Sequence, residues 1–389
     1  MTSSLRRAAG RLALAGASSV VATGLAAAAA ATVFARRVVT PDEERPDDVD
    51  VLEIGRDWVT LKVTPETITP GRYGVWQDGG RIHSRLGQVL ACDEHAGTVT
   101  RALLGHDRGR LRPGPGRWNM YFFCGTPSTA LGLGYRDVEV PGESGPLHGW
   151  LVPGSPASSG ATWAILIHGR GATREECLRA LPVMHRLGVT SLVAAYSTTA
   201  GLLTATSGRY HLGDREWQDV EAAILFAAEH GAGEIVLVGW SMGGAIAMQT
   251  VSRSWTADRV RGLVLDAPVI DWRDVLTHQA RLNHLPAAVG RLGQSVLSHR
   301  SAWRLAGTQA PVDLDRLDWV TRAAELNRPV LLIHSDEDEF VPSGPSRRLA
   351  DARPDLVTYL SVAGARHTRE WNVDPDAWES AVARFMLTL

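Results

Sequence analysis

Apolar and polar positions fall into three regimes along the chain. The first is an uncharged, Ala-rich run of 23 residues from Leu12 to Phe34, with Arg6, Arg7 and Arg11 before it and Arg36 and Arg37 after it. A helix of that length spans a hydrocarbon core of about 30 Å, and it exceeds the ~7–15-residue core of a usual signal peptide. The pattern predicts that residues 1–40 are a transmembrane anchor or signal segment outside the fold. Small residues from Ala26 to Ala31 offer cleavage sites to the signal-peptide alternative. Arg lies on both sides of the run, so charge decides sidedness only weakly. The three early Arg residues place the N-terminus inside, and the remainder is expected outside the cytoplasm. Residues 41–50 then read as an acidic, Pro-punctuated, solvated linker.

The second regime, residues 51–130, is short-period and heavily punctuated. Val59-Thr60-Leu61-Lys62-Val63 alternates as a half-buried strand does. Turn signals recur at Thr69-Pro70-Gly71, Asp78-Gly79-Gly80 and Arg112 to Gly116. A small β-rich accessory region is expected.

The third regime, residues 131–389, alternates buried strands with helical periods. Tyr135–Val140 and Leu147–Val152 read as a hairpin. Strands are expected at Ala164–Ile167, Ser191–Ala195, Glu234–Val238, Leu263–Leu265, Val330–Ile333 and Val357–Leu360. Helices are expected at Glu175–Leu187, Asp214–His230 and Ala245–Ser252. Such alternation predicts an α/β fold with a mostly parallel sheet covered on both faces. From about 268 to 328 the alternation breaks, which predicts a helical cap over the carboxyl ends of the strands, where ligands bind in open α/β sheets.

Composition changes this picture little. Hydrophobic residues are 44% and charged residues 21%, an ordinary globular balance, and the net charge of −2 gives no field that would attract nucleic acid. Cys92, Cys124 and Cys177 have no metal-ligand spacing. Three buried thiols are expected, with a Cys92–Cys124 disulfide as the alternative in an exported domain.

The chemistry concentrates in four short segments. Gly239-Trp240-Ser241-Met242-Gly243 lies between an apolar strand and a helix, the setting of a nucleophile elbow. Ser241 is the expected nucleophile, and the turn is too tight for side chains at Gly239 and Gly243. His168-Gly169-Arg170-Gly171 follows a buried strand and reads as an oxyanion loop, where Gly169 and Gly171 permit close backbone approach. The backbone N–H groups of Arg170 and Met242 are the expected donors. The Arg170 side chain reads either as solvated or as a contact for an acidic substrate group.

A serine hydroxyl needs a base to remove its proton, and His367, on a loop after the last strand, is placed for it. His278, His284 and His299 read as cap or surface residues. The acid that orients the base is Asp338, with Asp336 and Asp266 as rivals and Glu337 and Glu339 less suited.

These residues carry a family resemblance. From about Tyr135 to Leu389 the chain resembles the α/β-hydrolase superfamily, most closely its prolyl-oligopeptidase-like and carboxylesterase-like branch. The matching segments are His168 to Gly171, the elbow, His334 to Pro342 with Ser335 where Gly is usual, and Gly364 to His367. The resemblance implies Ser-Asp-His catalysis without metal or organic cofactor. The expected reaction is hydrolysis of an ester or thioester through an acyl-enzyme, on a small-molecule or lipid-like acyl substrate. A peptidase acting on short peptides, an acyltransferase, a haloperoxidase-like side activity and a catalytically inactive membrane-tethered scaffold remain as alternatives.

Overall fold

In a computed structural model of the chain, the described residues are 24–41, 46–143, 145–155, 161–199 and 208–389. The chain enters through helix α1 (residues 24–39) and then forms a six-stranded closed barrel. Its strands are β1 (Val49–Ile54), β2 (Trp58–Lys62), β3 (Tyr73–Gln77), β4 (Ile82–Asp93), β5 (Thr98–Arg108) and β6 (Gly114–Asn119), in the order β1-β2-β5-β4-β3-β6. Closure by β1 against β6 removes the free edges that an open sheet of this size would expose. Alternate residues such as Val49, Val51, Val59 and Leu61 point inward and form a core of their own with Tyr73 and Trp118. The β-rich region expected over residues 51–130 is therefore a barrel.

A short helix, α2 (Pro127–Leu131), leads to an eight-stranded sheet. The hairpin β7 (Arg136–Gly142) and β8 (Gly145–Val152) occupies one edge. Then follow β9 (Thr162–Ile167), α3 (Leu181–Arg186), β10 (Thr190–Ala194), α4 (Trp217–Glu229), β11 (Glu234–Trp240), α5 (Met242–Arg253) and β12 (Val260–Asp266). Between β12 and the next strand lie α6 (Trp272–Leu282), α7 (Ala287–Ser298) and α8 (Trp303–Ala306), in the stretch expected to form a cap. The chain closes with β13 (Val330–His334), α9 (Gly344–Ala352), β14 (Val357–Ser361), α10 (Glu370–Val373) and α11 (Pro375–Met386). The strand order is β14-β13-β12-β11-β9-β10-β8-β7, parallel from β14 to β10. Val220, Ile224 and Ile246 cover one face of the sheet, and Met184, Trp378 and Val382 the other. The central strands are apolar throughout because both faces are buried.

Three expectations need correction. The helix expected over Glu175–Leu187 starts as a 3-10 turn, Arg174–Ala180, and becomes α-helical at Leu181. Pro182 has no N–H to donate backward, so it sits in the first turn of α3 rather than inside a longer helix. Cys92 is exposed at the end of β4 while Cys124 is buried, and neither forms a disulfide. The residues up to 40 are also not wholly outside the fold. Ala31, Phe34, Ala35 and Val39 are buried, and the last three join the core of the α/β half. Residues 12–23 of the expected span lie outside the described residues. Among the described residues, no helix is long and apolar enough to cross a membrane.

Candidate active site

Strand β11 runs straight into helix α5, and Ser241 is the joint between them. Its φ of 51° is unusual for a residue with a side chain and marks a strained elbow. The strain is tolerated because the flanking glycines leave room. A Cβ on Gly239 would come within 2.5 Å of the Gly243 carbonyl, and one on Gly243 within 2.1 Å of the Ile167 carbonyl. The elbow is braced by bonds from Ser241 N–H to the Asp266 carbonyl (3.0 Å) and from Val269 N–H to the Ser241 carbonyl (3.1 Å). Met242 opens α5, and a first-turn N–H has no intrahelical acceptor.

His367 and Asp338 come to Ser241 from loops after β14 and β13. The Ser241 hydroxyl lies 2.9 Å from His367 Nε2, and His367 Nδ1 lies 2.7 Å from Asp338 Oδ2. Asp338 Oδ1 accepts the backbone N–H groups of Phe340 and Val341, each at 2.8 Å. Its Oδ2 also lies 3.2 Å from His334 Nε2. Burial alone would raise the Asp338 pKa, but His367 and His334 outweigh it and hold the carboxyl well below the usual range. For His367, burial works to lower the pKa, and the Asp338 carboxylate overcomes it and raises the pKa above 6.5. An ionised Asp338 fixes the proton on Nδ1 and leaves the Nε2 lone pair facing the serine O–H.

The loop after β9 is pinned on several sides. Gly169 N–H donates to Glu176 Oε2 (2.6 Å), and the Gly169 carbonyl accepts from Tyr196 Oη (2.9 Å). Gly171 N–H donates to Tyr210 Oη (3.0 Å). His168 is buried, bonded to Thr199 Oγ1 (2.8 Å), and lowered to about 4 by burial, so it stays neutral here. The Arg170 guanidinium donates to backbone carbonyls at the end of α1: Val38 at 2.9 Å, Thr40 at 2.8 Å and Arg37 at 3.2 Å.

Above Ser241 opens a cavity of about 420 Å³, within the size range of small-molecule sites. Its lining includes Phe34 and Val38 from α1, Trp272, Val275 and Leu276 from α6, and Phe340 from the acid loop.

Residues 147–381, more than half of the chain, match the model of the alpha/beta hydrolase family. The chain belongs to that family. Two crystal forms of an esterase from Pyrococcus furiosus, Pf2001, are similar to this alpha/beta hydrolase in fold. One has 19% sequence identity and a TM-score of 0.52, covering 68% of this chain and 95% of that one. The other has 20% identity and a TM-score of 0.52, covering 68% and 96%. Residues 50–119, essentially the barrel, match a domain of unknown function. No curated protein matches the chain in sequence.

Within this hydrolase, Ser241, Asp338 and His367 are joined in one hydrogen-bonded row. The rival carboxylates turn elsewhere. Asp336 pairs with Arg347 and accepts from Ser343. Asp266 is buried and accepts from Trp378 Nε1 at 2.7 Å. Glu337 accepts from Ser335 and Gly364 N–H, and Glu339 pairs with Arg366. His278 bonds the Glu339 carbonyl at 2.9 Å from its place on α6.

Two side chains at the site escaped the sequence reading. Glu176 is buried, holds the loop after β9 through Gly169, and pairs with Arg179. Arg179 in turn donates to the carbonyl of Thr368, next to His367, at 2.6 Å. The pair therefore ties the loop after β9 to the loop that carries His367. Its only sequence signal is an acid and a base three residues apart, and Arg174 and Glu175 beside them mask even that.

Proposed function

We propose that this alpha/beta hydrolase cleaves a carboxylic ester or thioester through an acyl-enzyme on Ser241. The observation that carries the reading is the row Ser241 Oγ, His367 Nε2, His367 Nδ1, Asp338 Oδ2, with links of 2.9 and 2.7 Å. Both are within reach for proton transfer. Ser241 Oγ attacks the acyl carbon while His367 Nε2 takes its proton. Asp338 stabilises the resulting imidazolium without being protonated. The tetrahedral oxyanion meets the backbone N–H groups of Met242 and Arg170. His367 then gives its proton to the leaving alcohol or thiol as the bond to the acyl carbon breaks. Water, deprotonated by the same imidazole, releases the acid and restores the serine hydroxyl.

Glu176 and Arg179 act at one remove, as positioning residues for the two loops. The apolar part of the lining above Ser241, formed by Phe34, Val38, Trp272, Val275 and Leu276, suits an acyl group.

The test is labelling of the full chain with a fluorophosphonate probe, followed by peptide mass spectrometry. An adduct on Ser241 that disappears in Ser241→Ala supports the reading. A folded, unlabelled protein counts against it.

A further inference from the structure

Helix α1 comes from the segment whose sequence suggested an appendage, yet its C-terminal end reaches the nucleophile. Four separate parts of the α/β half hold it. Arg170, on the loop after β9, donates to the carbonyls of Arg37, Val38 and Thr40. These are the acceptors a helix C-terminus leaves unpaired, and a cation there is also favoured by the helix dipole. Tyr210 N–H donates to the Val39 carbonyl at 2.8 Å. Arg36 Nε donates to the Leu305 carbonyl on α8 at 2.7 Å. Phe34 presses against α7 at Gly293, where an added Cβ would come within 2.7 Å of its ring.

Held in this way, α1 presents Phe34 and Val38 to the Ser241 cavity, opposite Trp272, Val275 and Leu276. Among the polar side chains in the lining, Arg170, Gln279 and Asn283 are bonded to the protein, while Arg37 is exposed. Gln279 donates its amide to the Phe340 carbonyl at 2.8 Å, and Asn283 to the Gln279 carbonyl at 2.8 Å. Apart from Arg37, what remains of the lining is chiefly hydrocarbon, a surface that gains by burying hydrocarbon.

We propose that the last two turns of α1 are a selecting wall of the active-site pocket, and that the pocket takes the apolar acyl chain of a medium-chain ester. This rests on Ser241 being the nucleophile. Phe34 and Val38 are then specificity residues contributed by the N-terminal segment, on a wall fastened by the Arg170 side chain.

The experiment uses full-length protein and p-nitrophenyl acetate, butyrate and octanoate, with the ratio of kcat/KM for octanoate to that for acetate as readout. Val38→Trp narrows the cavity, and the ratio is expected to fall about tenfold or more, the scale on which apolar pockets discriminate chain length. Phe34→Ala widens it, and the optimum is expected to move to the longer chain. Val33→Ala, on the exposed side of the same helix, serves as control and should leave the ratio alone. Thermal melts check folding, and Val38→Ala replaces Val38→Trp if the larger side chain unfolds the protein, with a shift toward octanoate expected.

A ratio unchanged in both the Phe34 and Val38 variants, with Ser241 still labelled by a fluorophosphonate, overturns the wall and leaves the serine chemistry standing. Failure of the wild-type protein to label or to hydrolyse any ester overturns both.

Discussion

Arg101 in the barrel and His367 in the α/β half are both ionisable side chains set among apolar neighbours, but their partners differ in kind. Arg101 is fully buried and donates to four backbone carbonyls, those of Gly87, Thr67, Thr69 and Gly71, at 2.7–2.9 Å. It lies over the rings of Tyr73 and Trp118, and burial lowers its pKa to about 10. Every one of those contacts is internal to the barrel. His367 instead bonds to two side chains, and the second of them, Ser241, borders a cavity. A buried charge matched to its own chain's carbonyls holds a fold together. A row of side chains ending at open space is what the proposed proton transfer from Ser241 requires. The partners of these buried groups thus differ: backbone carbonyls in the barrel, side chains beside a cavity in the α/β half.

The comparison can be broken most sharply at Ser241. Ser241→Ala should lower kcat/KM by about a million-fold, as when a single triad member is removed, with little change in the thermal midpoint. Substantial residual turnover would mean the row is not the reactive element. Asp338→Asn should cost about 10⁴-fold, by favouring the wrong His367 tautomer.

The same pair sets a pH signature. In the proposed mechanism the neutral imidazole is the base, so kcat/KM should rise as pH passes upward through the His367 pKa. Asp338 raises that pKa above 6.5, so the acid limb of the wild-type profile lies above that value. In Asp338→Asn the limb should move to lower pH; a limb that stays put would show that another group governs it.

Arg101→Met should do the reverse of Ser241→Ala. Four carbonyls lose their donor, and the denaturation midpoint should drop by the equivalent of about 3–5 kcal/mol, while kcat per folded molecule is retained. Loss of kcat without loss of stability would erase the distinction between the halves.

The smallest effect is expected where the halves meet. Glu66 of the barrel pairs with Arg366 and Arg369, on either side of His367. These side chains are partly exposed, so Glu66→Gln should cost no more than about 1 kcal/mol. A modest fall in kcat/KM would show that the barrel steadies the base loop, and an unchanged value would confine its role to architecture.

Local pattern made most of the α/β half legible. Val236-Leu237-Val238 and Val330 to Ile333 are apolar without interruption because both faces of the sheet are covered, and the elbow glycines follow from sterics at one turn. Ser241, Asp338 and His367 follow the strands β11, β13 and β14, which the same alternation marks.

Pairings between distant segments were not legible. The contact between Arg170 and Val38 joins residues 132 apart, and the residue type alone equally suits a solvated side chain. Phe34 belonged to an apolar run whose period fits a membrane as well as a protein core, and only α7 in place distinguishes them. Closure of the barrel depends on β1 meeting β6, which no turn signal encodes.

Helix α1 also sets a length. Its described residues, 24–39, number 16, so at about 1.5 Å per residue this stretch is a stiff rod of about 24 Å. One end is clamped beside Ser241. Whatever holds the chain at residue 24 therefore holds the pocket mouth at a fixed reach and a fixed heading, like a lamp on a bracket. A proteolytic cut after Thr40 would release the bracket and strip one side from the pocket in a single event, whereas a cut before Gly24 would leave the described pocket residues in place.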